Sequence, residues 1–412
     1  MKPILLSAAL IVVFIYTASA EDWRRFRGNE GAGTSNATSI PTDLNKDEAV
    51  WKIKLKGTGD SSPIVVGDKL FYTVTQEVEQ AKRELVCVSL QTGEEHWRRE
   101  HAFEQYKMHK FNSPSSTSPT ADEERVYVWW NDGVDSEVFA LDHDGKLVWK
   151  QALGKFESQH GGGSSVALAD GILIVQKENL DPDSFIAGLD AKTGKEVWKL
   201  SVPAERKTPY VTPIIRETES GKEAIFVSTD NGFFSLDTKT GKRRWFLDCA
   251  FEHRVVASPV VSGDFIFASC GGGGGGKDSI VIKAAPGTTK ATEAYRLSKQ
   301  LPYVPTGIGT EGRFYLINDG GIGLCHDAAT GERLWRERVL GKCFSSPILI
   351  GDLIYAFGRD GDYHIYRAGE TFESVAKGDL GAGIHATPIV AHGRLIVRTD
   401  EELLCFQKGT DA

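Results

Sequence analysis

The 412-residue chain is short of cysteine, and the six it has are badly placed for a scaffold. None are adjacent and none form Cys-x-x-Cys, so a zinc site has no support. Cys87, Cys325 and Cys405 fall at related places in apolar runs (Leu-Val-Cys-Val, Gly-Leu-Cys-His, Leu-Leu-Cys-Phe), which suits small buried hydrophobes. Cys249, Cys270 and Cys343 lie nearer loops, and Cys249 with Cys270 is the pair that could bridge. Positive charge is also in deficit, with a formal net charge of −8. Sequence-independent nucleic-acid binding needs Lys and Arg to neutralise phosphates, so that class is excluded, as is a broadly basic membrane-binding surface. No Ser/His/Asp order, paired catalytic carboxylates or His-Glu-x-x-His is present, so no catalytic residue is assigned. The glycine run Gly271–Gly276 is not a phosphate loop, because Lys277 is followed by Asp278 and no helix start follows. Having no side chains to pack, it is expected to be a mobile loop.

A long apolar run is missing too, except at the N-terminus. Ile4 to Tyr16 is short for a spanning helix, which takes roughly 20 residues. With Lys2 before it and Ala18-Ser19-Ala20 after it, residues 1–20 read as a cleaved signal peptide. The mature chain is then exported, periplasmic or extracellular, with no transmembrane span. With no cysteine near the cleavage point it is not a lipoprotein. Residues 21–48 read as an irregular arm, and 49–412 as one domain.

What the chain does have is a repeat. Leu189-Asp190-Ala191-Lys192-Thr193-Gly194-Lys195-Glu196-Val197-Trp198 recurs as Leu236 to Trp245, and more loosely at Ser89–Trp97, Leu141–Trp149 and His326–Trp335. In all five copies the Trp follows the Gly by four residues. A period of about 40–50 residues marks a propeller or solenoid. Each unit opens with a small tag, such as Ser61-Ser62-Pro63 or Thr117-Ser118-Pro119, and continues as short apolar strands joined by Gly-Asp-type turns. Four antiparallel strands per unit make a propeller blade, and the tags count eight. Seven is the alternative if one unit is irregular. The last unit stops at its third strand, so Val50-Trp51-Lys52-Ile53-Lys54-Leu55 is expected to supply the fourth and close the ring. Two units are degenerate: the fifth has Lys283-Ala284-Ala285-Pro286, with Tyr295 in place of Trp, and the seventh has Phe372.

The signature is architectural. Its Asp can hold an Asx turn, its Gly can take positive φ, and its Trp can cover the joint to the next blade with the indole N–H on a carbonyl. Trp51, Trp97, Trp149, Trp198, Trp245 and Trp335 are assigned to that docking role.

The pattern Ala/Leu-Asp-x-x-Thr-Gly-Lys-x-x-Trp at blade spacing resembles the tryptophan-docking repeat of eight-bladed quinoprotein dehydrogenases. It also resembles their non-enzymatic BamB-like relatives. The segments Asp22–Gly28, His109-Lys110-Phe111-Asn112-Ser113-Pro114 and His160-Gly161-Gly162-Gly163-Ser164-Ser165 are similar to exported bacterial proteins of the BamB-like group. In the dehydrogenase branch the resemblance implies pyrroloquinoline quinone with Ca2+, a vicinal Cys pair and a carboxylate/amide calcium set. The Cys pair is missing here, and no motif matches the calcium set, so no cofactor is expected. Pyrroloquinoline quinone with Ca2+ is kept as the alternative.

Function must then sit in loops where the repeats differ. His109, His160, His253 and His385 fall in or near loops that lead from one blade to the next, with Arg254, Tyr303 and Lys342 in corresponding places. Ring closure can converge them on the channel mouth, where His and Arg suit an anionic ligand or a metal. Trp129-Trp130 ends a second strand, and one of the two is expected to be partly exposed, which motivates a carbohydrate- or polymer-binding alternative. The leading expectation is a monomeric, non-catalytic scaffold that binds a protein or envelope component.

Overall fold

The computed structural model describes residues 21–76, 81–132, 135–180, 182–249 and 251–409. The expected leader, residues 1–20, lies outside them. Eight antiparallel sheets follow one another along the chain. The third is representative, with strands Ala167–Ala169, Ile172–Lys177, Phe185–Asp190 and Glu196–Ser201 in that order. Its first three strands are almost wholly buried and its fourth is mostly exposed, as in a blade whose inner edge lines an axis. The eighth blade takes Ile389–Ala391, Arg394–Arg398 and Glu402–Gln407 from the C-terminus and Trp51–Lys54 from the N-terminus. Trp51 pairs with Cys405, so the ring closes between chain ends as expected. No helix among the described residues is long and apolar enough to cross a membrane.

The turn chemistry explains the repeat. Asp190 Oδ1 accepts from Thr193 N at 2.8 Å and Thr193 Oγ1 at 2.7 Å, and Asp237 and Asp327 repeat the arrangement with Thr240 and Thr330. In five blades the docking Trp sits beside a β-bulge, which re-aims a side chain out of the regular ladder. The register shift follows the pairs Cys87/Trp97, Ala140/Trp149, Gly188/Trp198, Ser235/Trp245 and Cys325/Trp335. The residue opposite each ring is small, which accounts for the placement of Cys87, Cys325 and Cys405. The re-aimed indole N–H donates across the joint. Trp51 reaches Leu90 O at 2.9 Å, Trp97 His143 O at 2.9 Å, Trp149 Ala191 O at 3.1 Å, Trp198 Thr238 O at 3.0 Å and Trp335 Gly369 O at 3.1 Å.

The degenerate units depart from this in two ways. Tyr295 does stand in for a tryptophan, and its hydroxyl donates to Ala328 O at 2.7 Å. Trp245, facing the irregular fifth blade, is buried but its indole N–H has no partner among the described residues. Phe372 is not the seventh blade's docking residue. It lies in the turn and receives the ring of Trp335 from the sixth blade, centroids 5.2 Å apart. Ala376 holds the docking position, and the residue opposite it is the larger Ile365. Ile40 and Leu44 of the arm join the apolar cluster against which Ala376 packs.

All six cysteines are free, so Cys249 and Cys270 do not bridge. Cys270 lies within the strand Phe265–Gly271, buried rather than in a loop. The glycine run is the tip of that blade's hairpin, with Gly272 N donating to Gly275 O. Trp129 and Trp130 are 1% and 6% exposed. The expected exposed ring is therefore absent: both indoles pack into blade joints on opposite sides of the strand.

The arm does more than its irregular sequence suggests. It exchanges backbone hydrogen bonds with inner strands of four blades, through Trp23 with Val65, Arg24 with Ala121, Glu30 with Ile215 and Gly33 with Leu349. Thr34–Ser35 adds a parallel strand to the seventh blade. Arg25 and Arg27 are buried with it. Arg25 donates to Pro213 O at 2.5 Å, and Arg27 to Pro347 O at 3.0 Å and Gly307 O at 2.6 Å. The arm thus ties inner strands together, and Phe26, between the two arginines, forms part of the channel cavity.

Candidate functional site: the channel cavity

The cavity on the propeller axis has a volume of about 560 Å³. Its throat is built by the tags. Each blade contributes one Ser or Thr, and the eight are Ser62, Ser118, Ser165, Thr212, Ser258, Thr306, Ser346 and Thr387. The backbone N–H of each donates to the hydroxyl of the next, at 2.9–3.2 Å, from Ser62 through to Thr387. The ring of bonds opens only between the eighth and first blades, where Ser62 Oγ has no partner among the described residues. Arg398 stitches that seam instead, donating to Ser61 O at 3.0 Å, Ser61 Oγ at 2.8 Å and Thr73 O at 2.8 Å.

Two residues before each ring hydroxyl lies a second tier. Asp60, Ser116, Gly163, Tyr210, Val256, Val304, Phe344 and His385 all line the cavity. The tag spacing held the signal for this tier, because the offset of two is constant across all eight blades.

Of the residues expected at the mouth, His109, His160, Arg254, Tyr303 and His385 are brought together. His253 and Lys342 are not among the lining residues. Lys342 is exposed, and His253 is half-buried outside the lining, next to Arg254, which starts a two-residue strand paired to Gly271 and Cys270. His109 and His160 stack with centroids 4.9 Å apart and planes within 8°. Burial, with Arg254 and His109 nearby, pushes His160 down to about 4, so it is neutral at neutral pH. His385 behaves oppositely. Its Nδ1 lies 3.4 Å from Asp60 Oδ1 and 3.8 Å from Asp400 Oδ1, and the hydrogen bond to Asp60 raises its pKa.

Residues with no repeat signature complete the mouth. Phe111, 43% exposed, comes from the long loop between the first and second blades and reaches Phe344 of the seventh, centroids 5.5 Å apart. Arg359 lies 4.4 Å from the Phe111 ring and 4.3 Å from Phe344, and Lys110 4.9 Å from Phe111. The loop is held from below: His109 N donates to His160 O at 3.2 Å, and Asn112 Nδ2 to His160 O and Gly162 O.

With this geometry in place the chain can be set beside known proteins. Residues 39–273 and 134–356 match the family described as outer membrane protein assembly factor BamB. The chain belongs to this BamB-like, PQQ-type propeller family. The BamB of Burkholderia pseudomallei (strain K96243) is 22% identical over 96% of this chain and 94% of its own length. Among solved structures, BamB from Moraxella catarrhalis is similar at TM-score 0.60 and 15% identity, over 87% of this chain and 97% of that one. Quinohemoprotein alcohol dehydrogenase from Comamonas testosteroni is similar at TM-score 0.61 and 14% identity, over 95% and 81%. Such likenesses share the fold, and propellers of one fold host unrelated functions.

The calcium-and-quinone chemistry of the dehydrogenase branch can be tested against the residues present. Among the described residues no group of three or more His, Cys, Asp or Glu side chains could hold a metal ion. The carboxylates of the cavity are otherwise engaged. Asp319 accepts from Tyr303 N at 2.8 Å and Val304 N at 3.3 Å, and Asp60 faces His385. The donor set does not fit that cofactor.

Proposed function

We propose that this BamB-like protein is an exported, non-catalytic scaffold that docks a protein or envelope component on its loop-bearing face. The observation that carries the reading is Phe111. It is a large exposed aromatic held between two cations, Arg359 and Lys110, beside Phe344 and His385. Aromatic residues and Arg clustered at the centre of a face are what dominates binding energy in protein interfaces. Cation–π contacts hold the Phe111 ring in place, so little side-chain entropy is lost on docking. The family's description as an outer membrane protein assembly factor, and the leader-like sequence of residues 1–20, agree with an envelope setting.

The test is site-specific photocrosslinking in cells that express the full chain. A crosslinker at position 111 is expected to capture a discrete partner, and one at Val197, on an exposed outer strand, is not. The double variant Lys110→Ala/Arg359→Ala should lose the capture. Identical products from both positions would sink the docking reading. Stoichiometric uptake of pyrroloquinoline quinone with Ca2+, accompanied by dye-linked alcohol oxidation, would replace it with the oxidoreductase alternative.

A further inference from the structure

The docking reading concerns the rim, whereas the cavity itself carries a separate signal in Arg254. Its residue is 7% exposed, and no carboxylate pairs with it among the described residues. Nη2 donates to Gln159 Oε1, while Nε has no partner among the described residues. The Tyr210 ring lies 5.7 Å from the guanidinium carbon. A buried cation without a counter-ion is costly, because desolvation is not offset by pairing. The acids in the same wall do not relieve it, since Asp319 is satisfied by two backbone N–H groups and Asp60 by His385. Neutral His160 adds no competing positive charge.

The hydroxyl ring gives the second, independent observation. Seven of the eight oxygens already accept a backbone N–H, and none of the ring hydroxyls has a protein acceptor for its own proton among the described residues. A hydroxyl carries one donor, so the throat presents a circle of uncommitted O–H donors in the cavity that Arg254 lines. Donors and a cation together complement an oxyanion. The fixed positive charge of Arg254 in the same wall disfavours a metal ion there.

We propose that the channel cavity binds a small organic oxyanion, a carboxylate or a phosphate monoester, with Arg254 as its cationic anchor and the hydroxyl ring contacting its other polar atoms. The volume of about 560 Å³ falls in the range of small-molecule pockets. The proposal does not rest on docking at Phe111, and its test is keyed to Arg254.

The test compares gluconate, glucose 6-phosphate and glucose by calorimetric titration of the full mature chain. One or both anions should bind, with glucose as the neutral control that does not, and the pair distinguishes carboxylate from phosphate. Arg254→Gln should weaken the anion by at least about tenfold. Side-chain ¹⁵N NMR of the wild-type protein keeps the idea falsifiable if that variant does not fold. The Arg254 Nε–H resonance should move with the anion and stay still with glucose. No binding of either anion, equal binding by Arg254→Gln, or an unmoved Nε–H signal would overturn the assignment.

Discussion

Gly194 lies directly against the ring of Trp149 from the preceding blade: a Cβ there would fall 2.6 Å from one ring atom and 2.7 Å from another. The signature's glycine therefore has two duties, the positive φ of +72° and the open space for a neighbour's indole. Three alanine variants separate them. Gly263→Ala meets nothing within 4 Å and carries only the backbone strain of φ +59°, about 1 kcal/mol. Gly188→Ala has no such φ but would place its Cβ 2.3 Å from the Trp198 ring, costing about 2 kcal/mol by overpacking. Gly194→Ala combines both, at about 3 kcal/mol. Urea denaturation should rank them in that order, and a Gly194→Ala no worse than Gly263→Ala would show that the ring contact does not matter.

The indole N–H gives the docked ring a directional contact as well as its shape. Trp198 donates to Thr238 O at 3.0 Å, while Trp245 is just as buried and its N–H has no partner among the described residues. Phenylalanine at position 198 loses the bond and strands a carbonyl, but at position 245 it removes an unsatisfied donor. Trp198→Phe is expected to cost about 1–2 kcal/mol more than Trp245→Phe. Equal losses in chemical denaturation would mean that the rings dock by shape alone.

Much of the ring was legible in the chain because it is written locally. The tags, the Asp-x-x-Thr-Gly turns and the Trp at fixed offset each depend on neighbours a few residues away, and they give eight blades and the closure by Trp51. The joints were partly legible, since the small residue opposite each Trp, as at Gly188 or Cys325, sits at a constant place in the repeat. The arm was not. Arg25 and Arg27 bond to backbone carbonyls of Pro213, Gly307 and Pro347, and a carbonyl has no residue identity to read. At the mouth, His253 and Arg254 are adjacent in sequence, and only the pairing of Arg254 with Gly271 decides which one lines the cavity. Trp129 and Trp130 misled because a blade has a neighbour on each face, so alternation along a strand exposes neither.

The arm's role makes its own prediction. Arg27 donates to Ala32 O, Gly307 O and Pro347 O, and burial pushes its guanidinium down to about 9, still charged at neutral pH. Arg27→Ala leaves three carbonyls short of a donor and a void near the axis, a loss of about 3 kcal/mol. Arg24, one residue from Arg25, pairs with Asp22 and the exposed Glu123 at the surface, and Arg24→Ala should cost under about 1 kcal/mol. Denaturation midpoints that fail to separate the two variants would mean that the arm only lies on the ring.

Two buried groups should pull the pH dependence of stability in opposite directions. Glu178 accepts from Gln176 Nε2 at 2.9 Å, Asn231 Nδ2 at 3.1 Å and Ser228 Oγ, bridging the third and fourth blades, yet burial outweighs these bonds and lifts it to about 7. Folded Glu178 thus holds its proton where the unfolded residue has lost it. Its contribution is complete below about 4.5 and fades as pH rises through 7. His364 is the converse. Burial, with Lys377 nearby, lowers it to about 4, and the neutral ring fits its partners, with Nδ1 donating to Val339 O and Nε2 accepting from Ser374 Oγ. That stability is complete above about 6.5 and is lost as pH falls toward 4, because the unfolded chain then binds the extra proton. In thermal melts from pH 4 to 8, Glu178→Gln should gain on the wild type as pH rises from 5 to 8. His364→Gln should gain on it as pH falls from 6.5 to 4. Parallel profiles for wild type and both variants would show that neither group titrates differently on folding.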